Sequence, residues 1–328
     1  MTAMIIRRVL LAIPTLIAIS MISFFIIQLA PGDFLDQKIA ELEQRYGDAS
    51  SMARAQELRA RYGLDKPVYV QYGKWAWGVL HGDFGESFRY EREVSELIWE
   101  RLGYTLLLSM GALFFIYSVA IPLGIYSGTH NRKLTDRGLM LASFFGMSMP
   151  TFLVALALMV MVFHWCGVPL FGLFSLEYET APWSWAKVVD LLKHLWIPIA
   201  VMSINGLGGL IRIMRANMLD VLGEPFVRAA RAKGLKERTV VYKHAARIAV
   251  NPVISIAGMS LPGIISGETI IAIVLGLPTI GPLLFRSLQD QDMYLAGTLI
   301  LMTSTLLIIG NLLADIVLAW ADPRIRYD

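Results

Sequence analysis

The residues with the most chemistry to offer gather in one stretch, Glu224 to Asn251 (EPFVRAARAKGLKERTVVYKHAARIAVN). Seven bases, Arg228, Arg231, Lys233, Lys236, Arg238, Lys243 and Arg247, are opposed there by only two acids, Glu224 and Glu237. Such a set supplies no nucleophile and no matched acid and base; it makes a surface that recognises another molecule. Long apolar runs flank the stretch, so it must be a loop exposed at one membrane face. Ala229, Ala230, Ala232, Ala245, Ala246 and Ala249 alternate with Lys and Arg, all strong helix formers, so the loop is expected to be ordered. Gly234 is placed to end a first short helix in the left-handed conformation. Lys236 to Val250 can form a second helix, stopped by Asn251-Pro252. The three small residues Ala229, Ala230 and Ala232 leave the first helix thin enough to enter a groove on another protein. The expected docking residues within a loop spanning 216–251 are therefore Glu224, Arg228, Ala229, Ala230, Ala232, Lys233, Gly234, Leu235 and Lys236.

Other chemistry is sparse. No G-x-x-x-x-G-K-[ST] occurs, so the chain has no phosphate-binding loop of its own. No H-E-x-x-H and no His/Cys cluster with metal-ligand spacing is present, and no metal is expected. No serine lies in a nucleophile-elbow pattern with a partner base. The chain is expected not to be an enzyme and to bind no cofactor. Its single cysteine, Cys166, forms no disulfide within the chain and reads as a small apolar filler. His164 and His194 read as solvated interfacial histidines flanking an outer loop, with a metal site as a remote second reading.

Two acids fall within apolar runs, Glu268 and Asp315, and ionisable groups in such places are candidates for function. Glu268 lies toward the outer end of its run and Asp315 toward the inner end of its own, where each can reach water or cap a neighbouring helix. Asn205, in mid-run, suits an interhelical hydrogen bond. With Pro150, Asn205 and Glu268 are the candidate pore or gate residues.

The elements that must carry these residues are membrane spans. The chain has 328 residues, of which 56% are hydrophobic, and a mean hydropathy of +0.57. That is too apolar for a soluble domain of this size. Arg7 and Arg8 precede Val9 to Leu29, about the 20 apolar residues a bilayer-crossing helix needs, and this first span is expected to stay uncleaved. Residues 30–103 are polar and mixed in charge, a small extramembrane domain. Within it, Met52 to Tyr62 looks helical, Val68 to Trp77 alternates aromatic and polar residues, and Gly82-Asp83-Phe84-Gly85 is a turn. Glu93 to Arg101 leads helically into the next span.

Five further apolar runs follow, at about 104–126, 139–163, 195–214, 253–275 and 295–320. They make residues 104–320 the membrane-embedded part, and 321–328 a tail. Pro122, Pro150, Pro198 and Pro262 fall inside the runs, where neighbouring helices can satisfy freed carbonyls. Gly206, Gly208 and Gly209 permit close helix contact. Trp183 and Trp185, between the third and fourth runs, suit a membrane interface.

Six spans put both termini on one side. With the N-terminus inside, 16 of the 29 Lys and Arg residues fall on inner segments and three on short outer loops. The other ten lie in the long segment 30–103, where the positive-inside rule is weak. Both termini and the basic loop are therefore expected in the cytoplasm.

The loop's wording is also specific. ArgAlaAla-x3-Gly, followed by LysHisAlaAlaArg, resembles the EAA loop of ABC importer permeases, and AlaArgAlaLysGlyLeu resembles its dipeptide/oligopeptide branch. Arg228 stands where glutamate is usual in the family, and His244-Ala-Ala-Arg247 where many relatives have Ile-x-Leu-Pro. TyrGlyLeuAspLysPro at 62–67, GlyAspPheGlyGluSer at 82–87, SerGlyGluThrIle with LeuGlyLeuProThrIleGlyPro around Glu268, and AspProArgIleArg at 322–326 extend the resemblance to almost the whole chain.

The resemblance implies an all-α integral membrane protein of six transmembrane helices, a type I ABC importer transmembrane domain, with a small extracytoplasmic domain after the first helix. It implies a bacterial or archaeal inner-membrane location and alternating access driven by ATP. ATP and Mg would be bound by two partner ATPase subunits, not by this chain. A second, non-identical homologous permease and an extracytoplasmic solute-binding protein would complete the importer, with membrane lipid around it and no nucleic acid. Peptides are the expected solute, with oligosaccharides, glutathione or nickel as alternatives. An ion-coupled secondary transporter would call for paired broken helices and an internal repeat, and a membrane-embedded hydrolase for a nucleophile and base inside spans. Neither pattern is evident.

Overall fold

The computed structural model describes residues 2–29, 66–166, 171–254, 256 and 269–321. The predicted helix at Met52 to Tyr62, Pro262, Glu268 and the tail 322–328 lie outside the described residues.

The described chain is helical: α1 (Thr2–Leu29), α2 (Val68–Leu80), α3 (Val94–Thr129), α4 (Leu134–Ser148), α5 (Thr151–Cys166), α6 (Leu176–Glu179), α7 (Trp185–Leu222), α8 (Pro225–Ala232), α9 (Glu237–Thr239), α10 (Ala246–Ala249), α11 (Thr269–Val274), α12 (Ile280–Gln289) and α13 (Met293–Ala321). Four of them, α1, α3, α7 and α13, contain stretches long and apolar enough to cross a membrane, and α4 with α5 makes a fifth if that bent pair counts as one span. The fifth predicted run, 253–275, is described only at its two ends.

The third predicted run, 139–163, is not one straight helix. It breaks at Ser148, and α4 and α5 meet at 103°. Pro150 is the cause. The residue before a proline is pushed out of the α region, and Met149 sits extended at φ −82°, ψ 129°. Pro150 then opens α5, its carbonyl accepting from Leu153 and Val154.

The fourth run is likewise part of something longer. α7 starts at Trp185, ten residues before the apolar stretch, with Ser184 accepting from the Lys187 N–H as its N-cap. This corrects the reading of His194 as solvated. It lies on the inward face of α7, 6% exposed, beside the carbonyl of Asp190 one turn earlier, 2.8 Å away. Asp190 itself accepts from the backbone and hydroxyl of Ser175. His164, by contrast, is exposed.

The chain divides into two compact units. The first comprises Met1–Met4, Tyr104–Pro278 and Leu307–Asp328. Its packing depends on small residues. A Cβ on Gly124 or Gly128 of α3 would fall 2.5 or 2.7 Å from the Cβ of Met214 or Met218 on α7, so the four-residue glycine spacing seats two methionines. Gly208 of α7 lies against the Ser143 carbonyl of α4, and Gly206 against Ile116; Gly209 meets nothing. Two of the three predicted contact glycines thus make contacts.

The second unit comprises Ile5–Gly103 and Thr279–Leu306. Here α2 is a helix in which Trp75 is buried, its ring tilted against that of Phe24 of α1, and donates to Thr298 of α13 at 3.3 Å. The turn after it uses Gly82 and Gly85 at φ +80°. Asp292 ties that turn down, accepting from the Ser87 hydroxyl at 2.5 Å and from the Arg89 N–H at 3.1 Å.

Candidate functional site

The basic stretch folds as a helical hairpin within the first unit. Glu224 occupies the N-cap position of α8, extended at φ −69°, ψ 147°, with its carbonyl accepting from Val227 and Arg228. Pro225 follows at the first helical position, where its missing N–H costs nothing. α8 ends at Ala232. Lys233 closes the last turn, and Gly234 follows at φ +76°, the left-handed residue that ends many helices. No atom lies within 4 Å of the place a Gly234 Cβ would occupy, so the backbone angle alone calls for glycine.

The second limb is continuous from Glu237 to Ala249, but not uniformly α-helical. Val240–Ala245 between α9 and α10 is a π-helix. Its wide turn sends two adjacent residues inward twice, first Val240 with Val241, then Ala245 with Ala246, and Ala249 follows. These bury against Met214 and Met218 of α7 in one apolar cluster with Val227 and Ala230 of α8. In a plain α-helix, at 100° per residue, these five positions would spread over about 240°, too wide for one buried face. Such π-turns are rare and favour functional places. Val250 is a turn, and helix resumes at 251–254, so Asn251-Pro252 opens the next helix and does not merely stop this one.

The hairpin's outer surface is basic and small. Arg228, Ala229, Ala232, Lys233, Leu235 and Lys236 are exposed, as is Phe226. Ala230 departs from the expectation. It is 7% exposed and faces its own chain, because one turn after Val227 it shares that residue's inward stripe. Ala229 and Ala232 alone present the thin outer face. Arg231 reaches across the turn to Glu237, Nε to Oε2 at 3.1 Å and Nη2 to Oε1 at 2.7 Å. That guanidinium holds the Glu237 carboxyl below the usual carboxylate range, and the carboxylate raises the arginine. A basic helix end presented on a rigid base can bind an acidic groove; it cannot do covalent chemistry.

Residues 120–327 match the family described as binding-protein-dependent transport system inner membrane component. Residues 1–109 match its N-terminal companion. The chain belongs to the binding-protein-dependent transport system inner membrane component family. It is 36% identical, over the whole of both chains, to the oligopeptide transport system permease protein AppB of Bacillus subtilis (strain 168). It is 32% identical to the dipeptide transport system permease protein DppB of Escherichia coli (strain K12), over all of this chain and 99% of that one. This permease is accordingly a multi-pass, all-α membrane component of a transport system, with the type I ABC importer architecture, and not an enzyme.

The permease carries a second polar cluster that the sequence reading passed over. Asp136, at the start of α4, is 2% exposed. It accepts from Arg215 of α7 through Nε at 2.6 Å and Nη2 at 2.9 Å, from the Ser127 hydroxyl, and from the Arg132 N–H at 2.9 Å. Arg215 also donates to Asn131 at 2.9 Å. The charges are 79 residues apart, and each reads in sequence as an ordinary inner-loop charge, so nothing local signals the pairing. Two residues on, Asn217 donates to the Ala249 carbonyl of the hairpin at 3.2 Å.

Two of the three candidate pore residues lie within the described chain. Asn205 is exposed on α7, and Pro150 is exposed at the α4–α5 break. Asp315 is buried on α13.

Proposed function

We propose that this permease is a pore-forming subunit of an ATP-driven peptide importer, and that the α8–α10 hairpin is where an ATPase subunit docks. The observation that carries the reading is the hairpin itself: a basic, alanine-faced helix outside, a π-turn and seven small apolar side chains inside, joined through the left-handed Gly234. The identity with peptide-named permeases over whole chains supports peptide as the solute.

In this reading both termini and the hairpin are cytoplasmic, residues 30–103 form an extracytoplasmic domain after the first of six spans, and 321–328 are a cytoplasmic tail. ATP and Mg sit on two ATPase subunits. A second, non-identical permease completes the pore, and an extracytoplasmic binding protein delivers the peptide. Closure of the ATPases displaces the hairpins and switches access from one side to the other. Asn205, exposed on a spanning helix, and Pro150, at the bend of another, face the pore or the second permease; Glu268 belongs with them.

The test is threefold. Alkaline phosphatase fused after Asp65 is active and after Lys236 inactive; the reverse pattern defeats the orientation. A tag on this chain recovers a second permease and ATPase subunits; recovery of a transport-competent homodimer without ATPase contradicts the assembly. Labelled di- and oligopeptides accumulate in cells with the intact system; accumulation of another solute class in their place overturns the substrate.

A further inference from the structure

We propose that Asp136 and Arg215 are positioning residues for transport: they lock α7 to the turn between α3 and α4, so that displacement of the hairpin moves these helices together. The proposal rests on the docking role given to the hairpin above.

The geometry carries it in three steps. First, α7 is held from two sides close to the hairpin. Arg215 points to Asp136 and Asn131, and Asn217, two residues on, points to the hairpin carbonyl of Ala249. Residues two apart on an α-helix diverge by about 200°, so one short length of α7 is gripped on nearly opposite faces. A push on the hairpin reaches α7 through Asn217 and the buried Val240, Val241, Ala245 and Ala246. It leaves through Arg215.

Second, the contact beside this point is close packing. Gly124 and Gly128 of α3 lie against Cβ and Cγ of Met214 and Met218 and against the backbone carbonyls of Ile211 and Arg215. That approach holds α7 beside α3 by shape. The forked Arg215–Asp136 pair adds directional bonds and a fixed register.

Third, Asp136 also holds the turn it grips. Arg132 has φ +64°, a left-handed angle that a non-glycine residue adopts at a cost, and its N–H is fixed by Asp136 Oδ2. Ser127 at the end of α3 binds the same carboxylate. One acid therefore joins the end of α3, the strained turn, the start of α4 and α7. A buried ion pair is poor evidence of added stability, since apolar replacements often do as well; four directional bonds converging on one carboxylate fix geometry instead.

The experiment uses the assembled importer, purified with its ATPase subunits and reconstituted in proteoliposomes, with peptide uptake and ATP hydrolysis measured on the same preparation. Asp136→Asn removes the charge at constant shape, Arg215→Lys keeps charge but loses the fork, and Asn131→Ala removes only the outer bond. The expected result is normal membrane abundance and ATPase co-purification, hydrolysis largely retained, and peptide moved per ATP reduced. The reduction should be roughly three- to thirtyfold for Asp136→Asn and Arg215→Lys, the span seen for residues along a coupling network, and smaller for Asn131→Ala. The double variant should be no worse than the worse single. Unchanged peptide per ATP in both single variants overturns the proposal. So does a parallel fall of abundance, hydrolysis and uptake, in Asn131→Ala as in the others, which makes the cluster a structural staple. Failure of the docking role shows separately: Ala229→Leu would then leave ATPase co-purification intact.

Discussion

Arg231 and Glu237 face each other across Gly234 and close the mouth of the hairpin with two hydrogen bonds. Both side chains are well exposed, 42% and 61%, and such pairs contribute at most about 1 kcal/mol. Glu237→Gln should therefore leave the fold and membrane abundance unchanged while loosening the angle between α8 and the second limb. ATPase co-purification should weaken by a few-fold. The pH dependence follows from the sign. Glu237 is held below its ordinary pKa by Arg231, so the contribution is present above the ordinary carboxylate value and lost as pH falls through the lowered one. Co-purification should thus be flat between about pH 6 and 8 with respect to this pair. A drop within that window that Glu237→Gln abolishes would contradict the assignment.

Gly234→Val tests the turn. A Cβ there meets nothing within 4 Å, so the whole cost is the positive φ, about 1–3 kcal/mol for a β-branched residue. α8 should reorient to relieve it. Membrane abundance stays near normal, while uptake and ATPase co-purification are lost; Gly234→Asn, which tolerates the left-handed region better, should be markedly milder. Equal uptake by wild type and the valine variant would refute the hairpin's role.

Ala229 and Ala230 should fail in different ways. Ala229 is exposed, so Ala229→Leu is accepted by the fold and obstructs only a docking partner. Ala230 is packed with Val227 in its own core, and Ala230→Leu overfills it, at about 1–3 kcal/mol. The first variant should insert normally and lose ATPase association; the second should lose abundance as well. Membrane yield beside co-purification separates them, and identical behaviour would mean that α8 faces the other way.

Much of this was legible in the sequence because bilayer crossing and helix ends leave strong local marks. Apolar runs locate the spans, and Gly234 marks the turn by its freedom at positive φ. What escaped was non-local or lay beneath a polar surface. Ten residues before its apolar run, α7 already begins, and Lys187, Asp190 and Lys193 disguise that first part as loop, so His194 was misjudged. The π-turn over Val240–Ala245 has no composition signal; it shows only in which residues pack against α7. Ala229 and Ala230 are alike in sequence, and only packing distinguishes inside from outside. Asp136 and Arg215 meet across 79 residues, a pairing that no spacing rule reaches.

The last prediction concerns Asp292, at the turn before α13. It is fully buried and accepts from the Ser87 hydroxyl and from the N–H groups of Arg89 and Leu295. Two influences compete. Burial pushes its carboxyl above the ordinary carboxylate range, and the hydrogen bonds pull it back without cancelling the rise. Asp292→Ala leaves those donors unsatisfied, each unpaired buried group costing about 1–3 kcal/mol, and should lower the unfolding temperature in detergent. Asp292→Asn keeps one acceptor oxygen and should fall between alanine and wild type. Because the folded value is raised, the wild-type contribution is full below the ordinary carboxylate pKa and declines as pH rises through the raised one. The asparagine variant does not titrate at this position. The stability gap between wild type and Asp292→Asn should therefore be widest in acid and narrow as the buffer becomes alkaline. Thermal unfolding of both proteins across a pH series measures it directly. A gap that widens with pH would mean that the donors outweigh burial, and that the carboxylate, not the acid, is the form the segment around Ser87 holds.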